Sequence, residues 1–511
     1  MQLTAEKEAL FAQLLEREGF DFLKAIRPRK DAREAPLSYA QQRLLFLQQL
    51  DPDSPTYNLP RGFSVKGKLN VPVLERTLTE IVRRHEVLRT TFHVNGNDHV
   101  QVIHPASNVS VPVIDLSHLP EAERDTQVQE FATEEAQRPF DLERDPMLRT
   151  KLLRLADDDH VVFFTVHHII SDGWSAGLFF NELQTLYTAF SEDRPSPLPE
   201  LPIQYADYAR WQREWLKGEV YGRQLEYWRE RLRGAPTTLT LPTDRPRPSV
   251  RSFRGAVQGL WIHRQLAAEL KQVSREQGVT LFMMLLTAFE ILICYCTRQT
   301  DIVVGTPVAG RMRAETEPLI GFFINTLVLR NDLSGDPTFA ELLTRVKSDT
   351  LGALAHQDVP FEKLVEELQK ERNLSYTPLF QLQFTLQKGR GLAEFALPGL
   401  TLSPIRTERG TTQYDLALNM LDADKELYNT FEYDADLYDA ETIARMLERF
   451  DLILHEIVAN QSTRLSAILA RLTATDAEKE KANEQQYEDF FTRKLAQTKR
   501  RGSRAGSSQK A

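Results

Sequence analysis

Residues 160–175 read HVVFFTVHHIISDGWS. The run 160–168 is almost wholly β-branched and aromatic, which predicts a strand. Asp172-Gly173 is a turn pair, and the residues 173–190 carry helical periodicity. A strand that opens into a helix places functional groups on a rigid scaffold beside an open turn. Successive strand side chains face opposite sides, so His167 and His168 are not expected to enter one cleft together. One is a candidate catalytic base and the other a support residue. Asp172 is suited to fix an imidazole or meet a buried arginine, and Gly173 allows a ligand close to the backbone. The pattern leaves other readings open. Histidines at a strand end are often satisfied core residues. A metal site lacks an HExxH or CxxC pair to complete it, so no metal is expected. A Ser-His-Asp hydrolase lacks the GxSxG elbow.

Outward from this stretch, LRTKLLRL (148–155) pairs with it across the acidic turn ADDD as a second strand. Helices are predicted over 38–50 with Ser38 as N-cap, 71–88, and 120–137, and a hairpin over 89–104 around NGND. Residues 36–190 thus alternate as an α/β block. An aromatic helical stretch (205–233) and the extended segment 235–253 with LPTDRPRP follow. Tyr205, Tyr208 and Trp211 read as packing residues. A second α/β block runs from 255 to about 472, with strands near 256–262, 301–305, 324–330, 379–387 and 427–433. Its helices lie near 264–277, 280–297, 338–355, 360–369 and 440–459. A leading helix is predicted over 3–24, and the tail beyond 475 reads as a charged helix passing into a disordered basic end.

With 511 residues, 41% hydrophobic and 26% charged, the composition is that of a globular chain with a large core. A net charge of -9 gives no bulk basic field for nucleic acid. Cys294 and Cys296 are the only cysteines, too few for a disulfide framework and in keeping with a reducing compartment. No signal peptide or apolar run long enough to span a bilayer is read, so a cytoplasmic location without membrane contact is expected.

The chain resembles the condensation domains of nonribosomal peptide synthetases. The blocks LSYAQQRLLFLQQLDPDSPTYNLP (37–60), RHEVLRTTF (84–92) and RPFDLERDPMLRTKLLRL (138–155) precede VHHIISDGWS (166–175), which carries the family's HHxxxDG signature. YADYARWQREWL (205–216), LPTDRPRP (241–248), VGTPVAGRMRAE (304–315), IGFFINTLVLR (320–330), HQDVPFEKLVEEL (356–368) and ERNLSYTPLF (371–380) follow in the family's order. Leu45, and Asn373 and Tyr376 within the last block, depart from the usual residues.

The resemblance implies an α/β pseudodimer: two chloramphenicol-acetyltransferase-like lobes in a V with a central tunnel. It divides the chain into a helical lead (1–35), an N-terminal lobe with the HHxxxDG motif (36–204), a C-terminal lobe (205–475) and a basic tail (476–511). It further implies an acyltransferase that forms an amide bond between an acyl or peptidyl thioester and an amine. The substrates ride on phosphopantetheine arms of donor and acceptor carrier proteins, so no cofactor is bound and the chain itself is expected to be monomeric. His168 would be the central catalytic residue, with the Gly173 N–H at the developing oxyanion. His167 and Asp172 would be mainly structural, Asp172 pairing with Arg311 across the lobe boundary. Asn325 would sit near the tunnel, Arg43 and Arg89 would hold structure, and Trp174 would support the turn. The alternatives are an ester-forming or coenzyme-A-dependent acyltransferase of the same superfamily, and a non-catalytic platform. No adenylation domain or LGGxS carrier motif is read, so a free-standing enzyme is expected in preference to an excised piece.

Overall fold

The computed structural model describes residues 25–485 except 31–32, 97, 237, 240, 370–374, 390–395, 406, 408 and 483. The leading helix expected over 3–24, the end of the tail and much of the ERNLSYTPLF block lie outside the described residues.

In the first half, β1 (Glu34–Pro36), α1 (Tyr39–Leu50), β2 (Asn58–Lys66), α2 (Val71–Arg84), β3 (Thr90–Asn95), β4 (Asp98–Ile103), β5 (Val113–Asp115), α3 (Glu121–Gln137), β6 (Leu148–Ala156), β7 (Asp159–His167) and α4 (Gly173–Ser191) succeed one another. The helix expected over 71–88 stops at Arg84, because His85 is extended and residues Glu86–Arg89 form a 3-10 turn. β7 pairs antiparallel with β6 on one side and with β2 on the other. β2 is not among the strands expected from the sequence: Pro60, Arg61 and Gly62 interrupt its alternation. α2 and α4 pack side by side, and their apolar faces join Phe63, Val162 and Phe164 in one core.

The second half contains α5 (Tyr205–Trp215), α6 (Glu219–Arg231), β8 (Gly255–Ile262), α7 (Arg264–Glu276), α8 (Leu281–Thr297), β9 (Asp301–Val308) and β10 (Asn325–Asp332). It continues with α9 (Phe339–Ala355), α10 (Phe361–Leu368), β11 (Leu382–Lys388), β12 (Thr401–Ile405), β13 (Leu416–Ala423), β14 (Glu426–Asp434) and α11 (Ala440–Ala459). A helix over 465–482 follows and places Leu465, Ile468 and Leu472 in the second core. The sheet order is β10-β9-β11-β13-β14-β8, with β11 parallel to both neighbours. α8 is capped by the Thr280 side chain and is buried along almost its whole length. No single helix among the described residues is long and apolar enough to cross a membrane.

Two segments of the second half cross onto the first. β12 leaves its own lobe and pairs antiparallel with β2, giving the order β12-β2-β7-β6-β5. Gly62 makes this strap possible: a Cβ there would lie 2.5 Å from Ile405 Cγ1. The loop between β9 and β10 also docks on the first core through Leu319, Ile320 and Phe323, beside Tyr205 and Tyr208 of α5. Gly310 (φ +64) lets the start of that loop fold back, since a Cβ would lie 2.0 Å from the Phe323 carbonyl oxygen.

Candidate active site

The strand β7 ends at His167, and residues His168–Ile170 form a single 3-10 turn before α4 begins. The alternation of the strand sends the two imidazoles apart. His167 is buried, with its ring 5.8 Å from Phe140 and 6.2 Å from Tyr57, centroid to centroid. Its Nδ1 accepts the Ile169 N–H at 3.1 Å, so Nε2 carries the proton. Burial, followed by the His168 and Arg149 charges, pushes its pKa down to about 3. His167 is therefore a neutral ring in the ordinary pH range.

His168 is only half-buried. Its backbone N–H donates to the Tyr57 carbonyl at 2.8 Å, and its Nδ1–H donates to the Ser171 carbonyl at 2.6 Å. A carbonyl can only accept, which fixes the tautomer and leaves the Nε2 lone pair as the basic site. Burial lowers the pKa of this imidazole; the Ser171 hydrogen bond and Asp172 oppose that, and Arg409 adds to it. The Phe322 ring stands edge-on to the imidazole at 4.8 Å.

Asp172 caps α4 by accepting the Ser175 N–H at 2.8 Å. Its other oxygen accepts the Phe323 N–H from the second lobe at 3.1 Å. The Arg311 guanidinium closes the set: Nη2 lies 3.4 Å from Asp172 Oδ1 and 2.8 Å from Ser175 Oγ, while Nη1 donates to the Thr316 and Leu319 carbonyls. The guanidinium carbon sits 3.9 Å from the Phe323 ring centroid. Asp172 and Arg311 are both buried, so this is a charge pair held across the lobe boundary, with both carboxylate oxygens and both Nη atoms hydrogen-bonded and Nε left without a partner. Gly173 is exposed, and a Cβ on it would meet nothing within 4 Å. It opens α4, where backbone N–H groups have no intrahelical acceptor.

The family model for the condensation domain matches residues 31–481. The chain belongs to the condensation-domain family. It is 46% identical over 471 residues to a component protein of the linear gramicidin synthase of Brevibacillus parabrevis, covering 92% of this chain but 6% of that protein. It is 40% identical to phosphinothricin tripeptide synthetase PhsC of Streptomyces viridochromogenes, covering 85% of this chain and 40% of the relative. This condensation domain thus spans less than half the length of either relative. Among solved structures, the X-domain from teicoplanin biosynthesis is similar with a TM-score of 0.78 at 30% identity, covering 87% of this chain and 99% of that one. The fold is the family's pseudodimer of two α/β lobes in a V.

The remaining residues singled out from the sequence surround this centre at different distances. Asn325 opens β10 and is saturated: Nδ2 donates to the Gln357 and Val359 carbonyls, both at 2.7 Å, and Oδ1 accepts the Phe361 N–H at 2.9 Å. It anchors the turn into α10 and lines an open cleft with Trp211, Met312 and Phe322. His168 does not line that cleft; the Phe322 ring touches both. Arg43 on α1 reaches the second lobe, 3.6 Å from Glu362 and 4.9 Å from the Phe361 ring centroid. Arg89 donates to the His104 carbonyl and holds the β4 end. The half-exposed Trp174 donates from Nε1 to the Glu317 carbonyl at 3.0 Å, a second tie between the lobes.

Three contributors escape the sequence reading. Tyr57 and Phe322 sit in the quoted blocks without any charge or period that marks them. Arg409 lies in a polar stretch with no motif. Tyr205 does more than pack: its hydroxyl donates to the Phe322 carbonyl at 2.6 Å and contacts Ser38 Oγ at 2.8 Å, so it also fixes the loop that carries Phe322. Gln41 of α1 donates to the Ile169 carbonyl at 3.3 Å and ties the same helix to the His168 turn.

Proposed function

We propose that this condensation domain joins an acyl or peptidyl thioester donor to an amine acceptor, each presented on the phosphopantetheine arm of a carrier protein, with His168 at the reacting centre. The fixed tautomer of His168 carries this reading. A free amine attacks the thioester carbonyl, the C–N bond forms and the C–S bond breaks. The nitrogen gives up one proton, and the departing thiolate takes one. An imidazole that is neutral at physiological pH, with its Nε2 lone pair free, accepts the first and returns the second. A thioester is already activated, so no covalent enzyme intermediate is needed. Holding both tethered substrates in register lowers the barrier further. The N–H at the start of α4, at Gly173, supplies a donor for the oxyanion of the tetrahedral intermediate. Asp172 and Arg311 serve by fixing the turn rather than by touching substrate. The lowered pKa of His167 and its burial support a structural role for that ring.

The reading is tested by His168→Ala in a reconstituted reaction with a loaded donor carrier and a loaded acceptor carrier. Product formation is expected to fall by about 10²–10⁴-fold. Undiminished turnover overturns it. A matching rate with the donor presented on coenzyme A and no carrier would overturn the carrier requirement alone.

A further inference from the structure

The strap does not end at β12. Beyond Ile405, two described residues still reach β2 and its approach: Thr407 Oγ1 lies 3.4 Å from the Pro60 carbonyl, and Arg409 Nη1 donates to the Asn58 carbonyl at 3.2 Å and the Thr56 carbonyl at 2.9 Å. These two carbonyls flank Tyr57, whose own carbonyl accepts the His168 N–H at 2.8 Å. One nitrogen of a second-lobe guanidinium therefore bonds the carbonyls on either side of Tyr57, the residue that accepts the His168 N–H. We propose that Arg409 is a positioning residue for His168, clamping the segment Thr56–Asn58 from across the lobe boundary. This rests on the reading of His168 as the reacting base.

Arg409 makes no ion pair among the described residues, so its charge is not cancelled locally. The groups that face His168 are the Asp172 carboxylate, the neutral His167 ring, the Ser171 carbonyl, the Phe322 ring and Arg409. Among these, Arg409 is the full positive charge. It disfavours the imidazolium and so acts against Asp172 and the Ser171 hydrogen bond. A clamp and a charge are separable by substitution. Arg409→Met removes both the donors and the charge. Arg409→Lys keeps the charge but replaces the rigid guanidinium, whose Nη1 bonds both carbonyls, with a shorter, freely rotating ammonium.

The experiment reads the proton affinity of His168 without needing the reaction. Acylation of the wild type, Arg409→Met and Arg409→Lys with diethyl pyrocarbonate is followed at His168 by peptide mass spectrometry across pH, since only the neutral imidazole reacts. In Arg409→Met the midpoint is expected to move to higher pH, so that modification is several-fold slower than wild type at the acid end and recovers at alkaline pH. In Arg409→Lys the midpoint stays at the wild-type position. The kcat of condensation falls in both variants, with a smaller change in KM. An unmoved midpoint in Arg409→Met overturns the inference, as does a midpoint in Arg409→Lys displaced as far as in Arg409→Met. If Arg409→Met does not fold, Arg409→Lys alone decides: wild-type kcat with the guanidinium removed overturns the clamp. Loss of condensation in the wild type itself, with the midpoint shift intact, would sink the proposed function and leave the charge effect standing.

Discussion

At the scale of single residues, the site depends on a buried charge pair whose members gain little from water. Asp172 spends one oxygen on the α4 cap and the other on the Phe323 N–H, and Arg311 supplies the compensating charge. Breaking such a pair by removing one member costs about 3–5 kcal/mol, because the other charge stays buried. Arg311→Met should therefore lower the free energy of unfolding by an amount of that order, and Arg311→Lys should recover only part of it, since the guanidinium bonds on both Nη1 and Nη2. Unfolding curves for the two variants measure this, and an Arg311→Met protein as stable as wild type would contradict it. At this scale the sequence is highly legible for His167, His168, Asp172 and Gly173, which fall within seven consecutive positions. It is silent on Tyr57, Phe322 and Arg409, whose roles come from the backbone atoms and ring edges they meet.

At the scale of elements, helices with a visible cap are the ones the sequence announces. Ser38 caps α1 in a reciprocal box with Gln41, and Thr280 caps α8. Strands that break alternation are not announced: β2 contains Pro60 and Gly62, and β12 contains Pro404. α8 carries one anomaly, Glu290, fully buried in an otherwise apolar stretch. It accepts from Asn331 Nδ2 at 2.5 Å, and burial raises its pKa from the ordinary 4.5 to about 8. The folded protein thus holds this proton over a range in which the unfolded chain has lost it. The resulting stability is fully present below pH 4.5 and is lost as pH rises to about 8. Glu290→Gln removes the titration and keeps a hydrogen-bonding side chain. It is expected to stabilise the domain at pH 8 by about 1–3 kcal/mol relative to its effect at pH 5. Thermal unfolding of both proteins at the two pH values checks this; equal differences at both would refute it.

At the scale of the whole molecule, two separate cores are joined by features that each belong to one lobe in sequence and the other in space. The strap on β2, the Phe322 loop and the Trp174–Glu317 contact all cross. Their coincidence at the His168 turn means that lobe geometry and the geometry of the proposed site are one quantity. Gly62→Val tests this. The new side chain would collide with Ile405 and Phe163, and an overpacking cost of about 1–3 kcal/mol raises local opening of the strap by roughly 10-fold or more. Amide exchange over 401–405 should quicken while α8 and α11 stay protected, and condensation should fall with it. Unchanged exchange in the strap would show that the contact does not hold it.

The sequence by itself determined what depends on near neighbours along the chain. The β7 run, the Asp172 cap, the helical periods of α4 and α8, and the ordered blocks that mark the family are all set within a few residues, by period and by local hydrogen bonding. Only the tertiary structure decided which histidine meets open space, which nitrogen is left basic, and what holds the pair in place. Arg311 and Asp172 are 139 positions apart, and Arg409 and Asn58 are 351 apart. No local pattern encodes such pairings. They exist because the second half lends residues such as Leu319, Ile320 and Phe323 to the first core, and the polar groups brought with them are buried at the turn where His168 sits.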